Sequence, residues 1–279
     1  MTTPCPSELN LRKFDMSAIS HNKVCVLLGK RDTGKSFMVR DLLYHQRDIP
    51  VGAVISATEC ANRFYTHIIP KVFVHERPDP EIVSNVMKRQ DKIHRRIRHE
   101  MKRHGRSNID PRAFLILDDC LAEGRRWIRH EAVQSAFLNG RHFNLLFIIT
   151  LQYPMGLPPM LRGNVDFVFI HRDNLISNRK RIYENYAGMF PSFDYFCQVM
   201  DQTTSDFEVL VINNNSRSNK LQDQVFWYKA QSHEGFRIGA AHYWEMCESS
   251  EDEEEDAGVT NTEEVRVNSK TTKVSVIKA

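Results

Sequence analysis

Long apolar runs are missing from this 279-residue chain. None approaches the roughly 18 consecutive apolar residues that span a bilayer, so no transmembrane helix is expected. Met1 to Asn10 lacks the apolar core of a secretory signal. Cysteine is sparse, with six residues and no Cys-x-x-Cys pair, which argues against a zinc site and a disulfide framework. A reducing compartment is expected, with Cys25, Cys60 and Cys120 as buried thiols. Internal repeats are absent. Low complexity is confined to 248–256, where seven of nine residues are acidic. A net charge of +3 therefore conceals a basic body followed by an acidic tail, a pattern that suggests a polyanionic partner.

The richest segment is Val24-Cys25-Val26-Leu27-Leu28-Gly29-Lys30-Arg31-Asp32-Thr33-Gly34-Lys35-Ser36. An apolar strand runs into Gly-x-x-x-x-Gly-Lys-Ser, the P-loop pattern for nucleoside triphosphates. Gly29 and Gly34 allow the backbone to curl so that successive N–H groups face a phosphate. Lys35 adds a point charge toward the β- and γ-phosphates, and the Ser36 hydroxyl is a Mg²⁺ ligand. A helix from about Lys35 to His45, with Phe37 in its first turn, aims its positive end at the same phosphates. Residues 29–37 are thus the expected nucleotide-binding segment, and ATP the expected nucleotide. No Asn-Lys-x-Asp guanine-reading element occurs.

Further apolar, β-branched runs read as strands at 51–56, 68–75, 113–118, 145–150, 165–170, 207–212 and 225–228. Asp79-Pro80-Glu81 opens a long helix, Asp79 as N-cap and Pro80 at its first position. A shorter helix is expected over 131–138. Buried strands alternating with helices imply an α/β domain, a mostly parallel central sheet flanked by helices. The last two strands read as an added C-terminal edge hairpin. The expected organisation is a flexible stretch at 1–10, one P-loop ATPase domain at 11–247, and an acidic, disordered tail at 248–279.

Asp118 and Asp119 close the strand that begins at Ala113. A carboxylate at the end of a buried strand downstream of a P-loop suits Mg²⁺ coordination, and a neighbouring one can deprotonate water. Asp118 is the candidate metal partner and Asp119 the candidate base. After the next strand, Thr150 and Gln152 would lie beside the γ-phosphate, Gln152 to hold the attacking water. Arg141 and Arg162 flank that strand, and each is a candidate arginine finger. Arg141 is favoured by its place between the Asp-Asp strand and the Gln strand.

From Val86 to Arg106, nine Lys and Arg residues face only Asp91 and Glu100. Ile82, Val86, Ile93, Ile97 and Met101 form one apolar face, and the remainder is cationic. Lys88, Arg89, Lys92, Arg95, Arg96, Lys102 and Arg103 are the candidate contacts to a DNA backbone, with a solvated helix or a subunit contact as alternatives. His94, His99 and His104, spaced by five, do not share a helix face and suggest no metal site.

Five segments occur in order: Gly29–Ser36, Leu117-Asp118-Asp119, Asn139-Gly140-Arg141-His142, Thr150-Leu151-Gln152-Tyr153-Pro154, and the stretch from Ser177-Asn178-Arg179-Lys180-Arg181 to Phe190-Pro191. Over residues 15–245 the chain resembles the DNA-packaging ATPases of nucleocytoplasmic large DNA viruses, relatives of the FtsK- and HerA-type translocases. The resemblance implies a P-loop core of the ASCE (RecA-like) type with Mg²⁺ and ATP, and a homo-oligomeric ring. It further implies movement of double-stranded DNA into a preformed capsid, docking on a capsid vertex or portal-type protein, and action at viral assembly sites in the host cytoplasm. It also implies an arginine acting in trans, which Arg141 matches. Many relatives have Asp-Glu where this chain has Asp118-Asp119, so Glu59 is a second candidate for the activating carboxylate. A small-molecule kinase, a translocase outside packaging and a nucleotide-gated binding protein are the competing readings.

Overall fold

The computed structural model describes residues 9–120 and 125–257. The tail beyond 257 and most of the expected flexible N-terminus lie outside them. Among the described residues, nine strands form one sheet: β1 (Arg12–Lys13), β2 (Val24–Leu28), β3 (Gly52–Ser56), β4 (Val74–His75), β5 (Ala113–Asp118), β6 (Leu145–Leu151), β7 (Phe167–Ile170), β8 (Glu208–Asn213) and β9 (Val225–Lys229). Their order is β1-β9-β8-β7-β2-β6-β5-β3-β4. Only β8 runs against the rest, because it pairs antiparallel with both β7 and β9 while every other pairing is parallel. The β8–β9 hairpin is as expected, but β1 adds outside it, a two-residue strand too short to read from pattern.

Strand β2 is buried along its whole length. Val24, Val26 and Leu28 enter one apolar layer, Cys25 and Leu27 the other. This two-sided burial is why the parallel strands read as continuous apolar runs rather than alternations.

The helices that matter here are α1 (Lys35–His45), α2 (Pro80–His104), α3 (Glu131–Asn139), α4 (Ile176–Tyr186), α5 (Phe193–Thr203) and α6 (Ala241–Ala257). Helix α2 starts as its sequence dictates, with the Asp79 carboxylate accepting from Glu81 N–H and Pro80 at the first position. Gly105 ends it at φ 70°. The acidic run from 248 enters α6, where a disordered tail was expected.

Two further expectations are corrected. Residues 68–75 do not form one strand. The N–H groups of Ile68 and Ile69 both donate to Tyr65 O, a turn geometry that a strand ladder does not make. Pro70 then leads into a 3-10 turn at Lys71–Phe73, leaving only Val74 and His75 as β4. Cys60 is exposed, on a four-residue helical turn at Glu59–Asn62, whereas Cys25 and Cys120 are buried as expected. Burial pushes the Cys25 thiol far above its ordinary pKa, so it is inert.

Candidate nucleotide site

The chain leaves β2, crosses to β3, and returns through β5 and β6 before adding β7 on the other side of β2. Such a reversal opens a crevice at the C-terminal edge of the sheet. The P-loop fills it. Gly34 caps α1 at φ 86°, a conformation that costs glycine little. Gly29 is required for space, since a Cβ there would lie 2.6 Å from Thr33 Oγ1 and 2.7 Å from His171 Cβ. The buried Lys35 folds back on the loop and donates to Gly29 O at 2.7 Å and Lys30 O at 2.5 Å. Burial lowers its pKa, against the opposing pull of Asp119, Asp118 and Asp32.

Facing the loop, Thr150 ties the two carboxylates together. Its hydroxyl donates to Asp118 Oδ1 at 2.7 Å and accepts the Asp119 N–H at 2.9 Å. Asp119 is held at φ 54°, and Gln152 Nε2 donates to its Oδ2. Burial first, and the Asp118 charge second, raise the Asp119 pKa. A half-buried carboxylate with raised basicity beside a side-chain amide is suited to accept a proton. Asp118 and Asp119, with Ser36 and Lys35, line a cleft of about 500 Å³ that also includes Arg31, Asp32, Gly34, Phe37 and Gln152. The Ser36 hydroxyl and Asp118 carboxylate are hard oxygen donors, the set that Mg²⁺ takes alongside phosphate oxygens and water. Of the remaining loop residues, Lys30 pairs with Asp173 at 3.2 Å, while Arg31 and Asp32 are exposed. A larger cleft of about 630 Å³, between Glu59 and Glu248, contains no P-loop residue.

Glu59 is buried with its oxygens engaged by Tyr65 N–H, Thr66 N–H and the Thr66 hydroxyl. It clasps its own loop, and no P-loop group is among these partners. Arg141 is exposed at the N-terminal edge of the sheet, in the 3-10 turn Gly140–Phe143 that precedes β6. Seven strand residues, about 20 Å, separate it from the Gln152 end, so it is no part of this chain's cleft. The Arg162 guanidinium donates to Leu157 O at 2.8 Å and lies over the Tyr186 ring.

Near this same N-terminal edge, the fully buried Gln90 pins α2 by donating to Pro111 O and Phe143 O, each at 2.6 Å. From Arg95 to His104, every residue but Ile97 and Glu100 is exposed. Lys88, Lys92, Arg95, Arg96, Lys102 and Arg103 are all exposed, with Arg95 paired to Asp91 and Arg96 to Glu100. Arg89 is half-buried against Gln90, unlike the other candidates.

Three supporting residues belong to no sequence motif. The Tyr65 hydroxyl is buried near Asp118, and burial and then that charge raise its pKa well above a phenol's. Asp173, buried, accepts from Leu175 N–H and Asn178 Nδ2 while it anchors Lys30. His171 bonds Thr33 O through Nδ1 at 2.8 Å beneath the loop. Because its partner is a carbonyl, Nδ1 carries the proton. The buried Nε2 has no hydrogen-bond partner among the described residues.

Burial pushes the His171 pKa from 6.5 down to about 4. Between those values the unfolded chain binds a proton that the folded chain refuses. This contribution to stability is therefore present above pH 6.5 and is lost as pH falls toward 4, by about 3 kcal/mol in all. Unfolding free energy measured from pH 7 to 4 is expected to show this slope. His171→Asn should flatten it, and an unchanged slope in that variant would assign the pH dependence elsewhere.

No family model matches the sequence. Two relatives align over most of their length. Uncharacterized protein L437 of Acanthamoeba polyphaga mimivirus is 37% identical over 240 residues, 86% of this chain and 84% of that one. Uncharacterized protein 075L of Invertebrate iridescent virus 6 is 39% identical over 223 residues, 79% of this chain and 82% of that one. The chain belongs to one protein family with these relatives from nucleocytoplasmic large DNA viruses. Among solved structures, the family's fold is shared by the genome packaging NTPase B204 from Sulfolobus turreted icosahedral virus 2 in complex with sulfate. That match has a TM-score of 0.53 at 14% identity and covers 77% of this chain and all of B204. The pCW3 conjugation coupling protein TcpA with ATPγS aligns with a TM-score of 0.55 at 13% identity, over 76% of this chain and 61% of that one. The fold is thus that of the FtsK/HerA-type P-loop ATPases. Within the Asn178-Arg179-Lys180-Arg181 segment, Asn178 and Arg179 are structural. Arg179 donates to Asp173 O at 2.6 Å and Asp201 at 2.7 Å, closing a cradle around the residue that anchors Lys30.

Proposed function

We propose that this chain is the ATP-hydrolysing motor that drives double-stranded DNA into a preformed viral capsid, working as a homo-oligomeric ring docked on a capsid vertex or portal-type protein at the assembly site. One observation carries the reading: a triphosphate cleft with paired carboxylates lies at one edge of the sheet, and a cationic helix projects at the other. In this scheme Lys35 exchanges its loop carbonyls for the β- and γ-phosphate oxygens. Ser36 and Asp118 would hold Mg²⁺, which when bound neutralises charge on those phosphates. Asp119 accepts the proton of the attacking water, and Gln152 orients that water. Arg141, remote from its own site, reaches the γ-phosphate of a neighbouring subunit. The exposed α2 cations track the phosphate backbone of the duplex.

The test is ATPase rate against protein concentration, with and without duplex DNA, at rising salt. Stimulation by duplex is expected, weakening as salt increases. Rate should climb more steeply than linearly with concentration, and Arg141→Ala should lower it by about 10³-fold or more. Mixing Arg141→Ala with Lys35→Ala subunits should restore part of the activity, since some interfaces then combine an intact P-loop with an intact arginine. Vigorous hydrolysis indifferent to DNA at every salt would sink the motor reading.

A further inference from the structure

The turn at Ser205–Glu208, between α5 and β8, is built against its own backbone preference. Glu208 N–H donates to Ser205 O at 2.8 Å, and the two central residues, Asp206 (φ 48°) and Phe207 (φ 63°), are both left-handed. Two positive φ values in succession mark the type I′ pattern, for which Asn-Gly is the low-strain choice. Phenylalanine at the second position is strained, and burial does not compensate, since Phe207 is 68% exposed. Its ring nevertheless lies against the P-loop: a Cβ on Gly34 would sit 3.3 Å from Phe207 Cδ1. A cleft of about 270 Å³ runs between this ring and Asp32, Thr33 and Arg172.

The sheet order gives that cleft its meaning. Asp118, Asp119 and Gln152 follow β5 and β6, on one side of the P-loop strand, and Arg172 and Phe207 flank β7 and β8, on the other. A triphosphate with its γ-phosphate toward the carboxylates directs its opposite end toward Phe207. That end is a base, which needs a flat apolar face with polar groups at the rim. Phe207 offers the face. Arg172 and the Asp206 carboxylate stand beside it, the latter able to accept from an exocyclic amine.

We infer that Phe207 is the stacking platform for the purine base of the bound nucleotide, with Asp206 and Arg172 at the rim. The inference rests on the reading that the P-loop binds a nucleoside triphosphate. It accounts for a strained aromatic where glycine would be cheaper.

The experiment compares the full-length wild type with Phe207→Gly and Phe207→Trp, using calorimetric Kd for Mg-ATP and for inorganic tripolyphosphate, which has no base. Phe207→Gly should weaken ATP by about tenfold or more, leave tripolyphosphate unchanged, and melt no lower than wild type because glycine relieves the turn. Phe207→Trp should keep ATP affinity and show a fluorescence change, beyond the wild type's, with ATP and not with tripolyphosphate. Wild-type ATP affinity in Phe207→Gly would overturn the inference, as would equal loss of both ligands, which would mean a damaged loop. So would intact affinities with loss of the concentration dependence of hydrolysis, the mark of a subunit contact. A wild type that binds neither ligand would instead overturn the P-loop reading, and this inference with it.

Discussion

Asp119→Asn is expected to bind ATP as tightly as the wild type and to hydrolyse it about 10²–10⁴ times more slowly, the range that a positioned general base supplies. The substitution keeps the size of the side chain and the backbone bond from Asp119 N–H to the Thr150 hydroxyl. It removes the group whose pKa is raised by burial and by Asp118. That raised pKa predicts an acidic limb in the wild-type rate profile above the ordinary carboxylate range, with activity rising as Asp119 ionises. The limb should vanish in Asp119→Asn. Lys35→Ala is the contrasting control, because it should lose affinity for the triphosphate along with turnover. Glu59→Gln separates the two candidate carboxylates. Its oxygens are spent on the Tyr65 and Thr66 groups, so that variant should lose stability before it loses chemistry. A steady-state pH series with nucleotide binding measured in parallel decides the matter. Wild-type turnover in Asp119→Asn would transfer the base role to another group.

How far the sequence revealed this site depended on which residues announce themselves locally. The P-loop did, because glycine spacing, lysine and serine are all needed within eight consecutive residues. Asp118, Asp119 and Gln152 were legible because each lies at the end of a continuous apolar run, and a parallel sheet brings such ends to one edge. The groups that support them were not legible. His171 follows an apolar strand like any other residue, and only the β2–β7 pairing brings it under Thr33. Tyr65 reaches Asp118 from a loop that read as nothing in particular. Asn178 and Arg179 stood out as a family pattern, yet their task of holding Asp173 needed the loop geometry. The 68–75 run misled because apolar content was taken for a strand where Tyr65 O gathers two successive N–H groups. Arg141 precedes β6 as its sequence position implies, but its distance from the cleft appears only once β6 is seen to lie between them.

Asp41→Ala is expected to destabilise the domain by about 3–5 kcal/mol, the cost of breaking a buried charged network from one side. Asp41 is fully buried in α1, one turn beyond the P-loop lysine's own turn. Its Oδ2 accepts from the Tyr228 hydroxyl at 2.7 Å and from Gln231 N–H at 3.1 Å. Oδ1 faces His233 Nε2 at 2.6 Å and His45 Nε2 at 3.5 Å. Burial and this carboxylate raise the Tyr228 pKa far above a phenol's, so the hydroxyl keeps its proton and donates it. Tyr44 stacks on His233 with ring centroids 3.6 Å apart. One carboxylate thereby fastens α1 to β9 and to the segment that follows, which returns to bond Ile68 and Ile49 carbonyls. Truncation to alanine leaves a buried phenol and a backbone N–H without an acceptor. At this chain length, each kcal/mol shifts the melting temperature by about 2–4 °C, so a fall of about 10 °C is expected. Tyr228→Phe removes a single bond and should cost about 1 kcal/mol. If Asp41→Ala instead melts as close to wild type as Tyr228→Phe does, the carboxylate is no keystone, and α1 is held to the sheet by its apolar face of Met38, Val39, Leu42 and Leu43 alone.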